Sequence, residues 1–118
     1  MAEQQVKSLE SPDQVLEMER GRFHIVAIAE GGVGRATFEP GWKWSEHEKP
    51  AVGATGDYCE TPHFVYVATG NLHVVMSDGS EFDLKAGDIA TLPARHDGWV
   101  VGDQPVTMVD FAGVAKPF

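Results

Sequence analysis

A single cysteine, Cys59, occurs in 118 residues. An internal disulfide is therefore excluded, and a reducing, cytoplasmic setting is expected. Basic residues are scarce, with 9 Lys and Arg against 18 Asp and Glu, for a formal charge of -9. Nowhere do they cluster as a phosphate backbone requires, which argues against a nucleic-acid partner. No run approaches the ~18 apolar residues of a membrane span. The opening segment MAEQQVKSLESPD is polar and lacks the apolar stretch of a signal peptide. Also missing are a Gly-x-Ser-x-Gly nucleophile elbow and a glycine-rich phosphate loop before a helix. The one glycine-rich stretch, EGGVG at 30–34, lies between strand-like segments and reads as a turn.

What is present is strand after short strand. RFHIVAIAE and VGRATFE flank Gly31-Gly32, a hairpin signal. FVYVAT, NLHVVMS, EFDLK, IATLP, GWVVG and VTMVDF follow at regular spacing, separated by Thr69-Gly70, SDGS, AGD and Gly102-Asp103. About eight short strands in one chain of this length predict a single all-β domain, a sandwich or closed barrel. One segment reads as a helix. In SPDQVLEMERG, Ser11 can cap, Pro12 suits the first turn, Gln14 completes a capping box and Gly21 suits the C-terminal end. This gives an N-terminal arm or short helix over 1–21 and the β domain over 22–118. The interval 46–57, EHEKPAVGATGD, has no periodicity and reads as a loop beside the only cysteine.

The stretch DYCETPHF places Cys59 four residues before His63, with Pro62 between them. On one straight strand these two would lie ~13 Å apart, at ~3.3 Å per residue. Proline is poorly tolerated inside a paired strand, and it restricts its predecessor too. CETPH therefore predicts a turn, with Cys59 ending one segment and His63 starting the next. That geometry permits a shared site.

PGWKWSEH, the run from Pro62 to Trp99 and VTMVDF together resemble a small single-domain cupin. The family's first motif has a glycine, five residues, a His-x-His pair, a glutamate, then six residues and a glycine. Here Gly41 is followed by five residues and His47, and His63 by six residues and Gly70. The second motif has a glycine, five residues and Pro-x-Gly-x-x-His. Here Gly87 is followed by five residues and Pro93. The resemblance implies an antiparallel jelly-roll β-barrel with a metal or small-ligand site in its lumen, and a homodimer. The usual ligands are not all reproduced. His63 takes the glutamate position, Arg95 the turn glycine and Gly98 the last histidine. His47, Lys49 and Cys59 remain alternatives for the first-motif position.

The candidate metal ligands are thus His47, Cys59, His63 and His96, for a divalent ion such as zinc, iron, nickel or manganese. Against this stand plainer readings: a satisfied core histidine for His63, solvated loop histidines for His47 and His96, and a buried small hydrophobe for Cys59. Trp42, Trp44 and Trp99 are the pocket candidates for a small organic ligand. His73 alternates with Leu72 and Val74 and should face outward, as should Phe64 and Tyr66. Two functions follow from the resemblance. One is small-molecule chemistry such as oxygenation or isomerisation. The other is a binding or sensory module without turnover.

Overall fold

A computed structural model describes residues 3–112; the final six residues of the expected 22–118 domain lie outside it. Among the described residues are nine strands: β1 (Gln14–Met18), β2 (Gly21–Ile28), β3 (Gly31–Phe38), β4 (His63–Thr69), β5 (Asn71–Met76), β6 (Glu81–Lys85), β7 (Ile89–Leu92), β8 (His96–Val100) and β9 (Val106–Asp110). They form a six-stranded sheet in the order β1-β2-β3-β9-β4-β7 and a three-stranded sheet in the order β6-β5-β8. All named pairings are antiparallel. The sheets do not close on each other, so of the sandwich or closed barrel that the strand spacing allows, the structure shows a sandwich of jelly-roll kind. Among the described residues, two single bridges form outside the named strands, Lys43 with Trp99 and Cys59 with His96.

Alternation by two builds the core, as the strand patterns require. Val65 and Val67 of β4 are fully buried, while Phe64 and Tyr66 are exposed. From the facing sheet come Leu72 and Val74 of β5, Leu84 of β6 and Val100 of β8. Phe38 ends β3 inside this core and stacks on Trp42, ring centroids 3.7 Å apart.

Three local expectations are corrected. The segment read as a helix is β1, paired along its length with β2 from Gln14–Ile25 to Met18–Gly21. Its alternation, with Gln14, Leu16 and Met18 turned inward, prevails over the capping pattern. A helix that short is marginal alone, whereas the edge of β2 offers a complete ladder. The first hairpin turns at Ala29-Glu30, with φ of 53° and 60°, not at Gly31-Gly32. Both glycines sit in β3, and the tight two-residue turn has the left-handed backbone such turns need. Finally, the 46–57 interval is not all loop. A π-helical turn spans Trp44–Glu48 and runs into α1 (Lys49–Val52), which Gly53 ends at φ 71°. Both pieces are too short to show periodicity.

Gly70, between β4 and β5, has φ 83°, and a Cβ there would lie 2.5 Å from the Pro105 carbonyl oxygen. Backbone strain and a clash with backbone act together. Gly70→Ala is expected to cost roughly 2–4 kcal/mol in a urea unfolding series. A loss under about 0.5 kcal/mol would contradict the placement of this turn.

Candidate metal centre

Pro62 breaks the chain as the sequence predicts, and each side of the break joins a different neighbour. Cys59 lies against the start of β8: its amide donates to the His96 carbonyl at 2.8 Å, and the Arg95 amide donates to the Cys59 carbonyl at 2.6 Å. Arg95 itself has φ 75°, the left-handed turn conformation in which the family's glycine would sit. His63 opens β4 opposite Leu92 of β7, on the side that carries Val65 and Val67. His96 opens β8, and β5 and the Cys59 bridge hold it in place. One ligand atom from each of Cys59, His63 and His96 then falls within 4.8 Å of the others. Cys59 Sγ is 3.7 Å from His63 Nε2, and the two imidazole centroids are 5.1 Å apart.

Both histidines are oriented from behind. Asp110, on the inward face of β9 beside Val106 and Met108, accepts a hydrogen bond from His63 Nδ1 at 2.6 Å. The Pro93 carbonyl accepts one from His96 Nδ1 at 2.8 Å. A carboxylate or carbonyl partner fixes the proton on Nδ1 and leaves Nε2 to take a metal, the arrangement that ligating histidines show. Asp110 is held in turn: its Oδ1 accepts from the amides of Phe64 (3.3 Å) and Ala112 (3.0 Å).

The charges are coupled. Burial alone would push the Cys59 thiol up, but hydrogen bonds from His63 and His96 outweigh it and bring its pKa to about 6. Burial would likewise lower His63, but its hydrogen bonds to Asp110 and Cys59 raise its pKa to about 9. Without metal the pair is a thiolate beside an imidazolium across the neutral range. Close by, burial and then the Cys59 charge push the Glu48 carboxyl up to about 8.

Residues 42–118 match the EutQ-like cupin domain family. The chain belongs to that family. No curated protein sequence matches it. Solved structures with the same fold include a sugar phosphate isomerase of the cupin superfamily from Silicibacter pomeroyi, at 24% identity and TM-score 0.56, covering 78% of this chain and 58% of that one. The oxalate decarboxylase of Lactobacillus farciminis, in a formate complex, aligns at 16% identity and TM-score 0.59 over 87% of this chain and 32% of the other. The Bacillus subtilis oxalate decarboxylase, which has Mn(II) centres, aligns at 23% identity and TM-score 0.58 over 86% and 27%. The cupin thus spans little over half of the first of these chains and about a third or less of the other two. At these identities the likeness shows the fold.

Of the four candidate ligands, three meet in the cupin. His47 does not join them. Its Nδ1 accepts the Lys43 amide at 2.9 Å, and its Nε2 points toward Glu19, 4.0 Å away. The π-helical turn sends Glu48 to the cavity and His47, one residue earlier, to another side. Trp42 and Trp44 are buried and line the cavity with Phe38, Glu48, His63 and His96. Trp99 does not. The inward positions of β8 are His96, Gly98 and Val100, so Trp99 faces outward. There it packs between Lys43 Nζ, 5.1 Å from its ring, and His73, at 4.9 Å. His73 lies on that outer face as expected, held by Asp83 and Glu81.

Two residues were missed. Asp110 had a readable signal, because in VTMVDF it shares the alternation of Val106 and Met108 and so places an acid on a buried stripe. Glu48 had none, because its position depends on a single π-helical turn. Among the described residues, no helix is long and apolar enough to cross a membrane.

Proposed function

We propose that this cupin binds one divalent transition ion through Cys59, His63 and His96 and carries out acid–base chemistry on a small ligand, with Glu48 moving the proton. The observation that carries this reading is the pair of Nδ1 hydrogen bonds, from His63 to Asp110 and from His96 to Pro93, behind a converging thiolate. Core histidines with no ligand to hold have no need to be braced from behind and turned together on one cysteine. A mixed thiolate–imidazole set favours zinc, iron or nickel over manganese, which prefers oxygen ligands. Three protein ligands leave a coordination position open, which supports catalysis over a closed structural site. The metal would supply Lewis-acid polarisation of a bound oxygen.

Glu48 lines the same cavity, and with a pKa of about 8 it can both take and return a proton near neutrality. Proton transfer of this kind serves isomerisation better than oxygenation. The cavity measures about 50 Å³. Pockets for drug-sized molecules run to roughly 300–1,000 Å³. A substrate of a few heavy atoms therefore fits, and a sugar phosphate does not.

The pKa values make this testable without a substrate. Near neutral pH, Cys59 is already ionised and has no proton to lose, while His63 is protonated and must lose one to bind metal. Zinc binding at about pH 7.5 is expected to release about one proton, and affinity should rise about tenfold per pH unit toward pH 9. Calorimetry in two buffers of different ionisation enthalpy reads the number directly. Release of none would contradict His63 as a ligand.

A further inference from the structure

Two buried side-chain polar atoms among the described residues have no hydrogen-bond partner, and one of them is Trp44 Nε1. Trp44 is 4% exposed and lines the cavity beside His63 and His96. An unpaired buried N–H is costly and calls for an explanation. Glu48, four residues along the π-helical turn, is the acceptor near this indole, which works to lower its pKa, but the two do not reach a well-formed hydrogen bond. The other acids that line the cavity have partners. Asp97 Oδ1 accepts the Ser45 and Gly98 amides, and Asp110 holds His63, Phe64 and Ala112. The remaining wall is mostly apolar, from Phe38, Trp42, Leu72, Val74, Leu92 and Met108. The Trp44 N–H is therefore a donor in a mostly apolar pocket without a well-formed acceptor in the protein.

Resting on the metal reading above, we propose that Trp44 Nε1 is the second anchor of the ligand site: the ligand is a compact anion of three or four heavy atoms, one end on the metal and the other accepting the indole N–H. Size sets this class. A cavity of about 50 Å³ holds three or four water-sized groups, at roughly 10–15 Å³ each. Charge follows from chemistry, because a metal cation at one end and an N–H donor at the other both reward an anion with acceptor atoms at its two ends. A one-carbon carboxylate, with an acceptor oxygen on either side of its carbon, has this form, and so does azide. Trp44 would thus position the ligand, without a share in the proton transfer.

Azide is the probe, titrated calorimetrically into the zinc-loaded wild type and Trp44→Phe. Phenylalanine keeps an apolar ring and removes the donor. Equal zinc content and roughly ten- to hundredfold weaker azide binding in the variant are expected. Equal azide affinity, or no azide binding by the zinc-loaded wild type, would overturn the proposal while leaving the metal reading intact. Absence of zinc from both proteins would end the metal reading and the proposal with it. A second readout does not depend on the variant folding. The zinc-loaded wild type has three indole N–H resonances, which Trp42→Phe and Trp99→Phe assign by subtraction. Azide should shift the Trp44 resonance alone and slow its exchange. An unmoved Trp44 resonance at saturating azide overturns the proposal.

Discussion

His63→Gln is expected to purify without stoichiometric metal, with affinity reduced more than about 100-fold. That exceeds the 10–100-fold cost of losing an outer partner of a ligand. The argument rests on where His63 sits. It links the cysteine to the buried acid, with Sγ of Cys59 3.7 Å from Nε2 and Asp110 2.6 Å from Nδ1. Glutamine is the instructive substitution because its amide can still donate to Asp110. Alanine would leave a carboxylate that is 5% exposed without its charged partner. Breaking a buried pair in that way costs about 3–5 kcal/mol and would confuse metal loss with unfolding. Elemental analysis and far-ultraviolet circular dichroism on the same preparation separate the two. A folded His63→Gln protein that retains full metal would remove His63 from the ligand set.

Asp110→Asn is expected to weaken metal binding by about 10–100-fold although it changes one atom type and touches no ligand position. Asp110 Oδ1 accepts two backbone amides, from Phe64 and Ala112. An asparagine oxygen must stay there, because an amide NH₂ cannot accept. The NH₂ then faces His63 Nδ1, which has to become the acceptor, and the ring proton moves to Nε2. The side chain is unmoved and the tautomer is wrong for coordination. Competitive titration with a chromogenic chelator measures the change. Wild-type affinity in Asp110→Asn would show that the Asp110–His63 bond is structural only.

The strand framework was readable because buried and exposed residues alternate cleanly, as in β4, β8 and β9. Pro62 made the Cys59–His63 turn readable too, and His96, two residues before the Gly98 that takes the cupin histidine position, shares its side of an extended strand. Three errors share one physical cause, namely that pairing and packing decide short segments. β1 carries a good helix-capping pattern, yet the edge of β2 claims it. Ala29-Glu30 adopts a left-handed turn that its residue types do not advertise, while two glycines stand next to it in β3. The π-helical turn at Trp44–Glu48 determines that Glu48 enters the cavity and His47 does not. Trp99 was misplaced for a simpler reason: β8 starts at His96, and counting by two from there turns Trp99 outward. The strand spacing allows a sandwich or a closed barrel, and the two sheets here do not close on each other.

The metal content of the protein, purified without a histidine tag and compared with Cys59→Ser, tests the central claim most directly. Close to one equivalent of zinc, iron or nickel per chain in the wild type, and its loss in the variant, is the predicted result, since a serine hydroxyl is a poor substitute for a thiolate at such an ion. A metal-free wild type prepared under conditions that spare bound metal would contradict the account, as would equal metal in both proteins. Cys59 and His63 would then be an ion pair beside an apolar cavity.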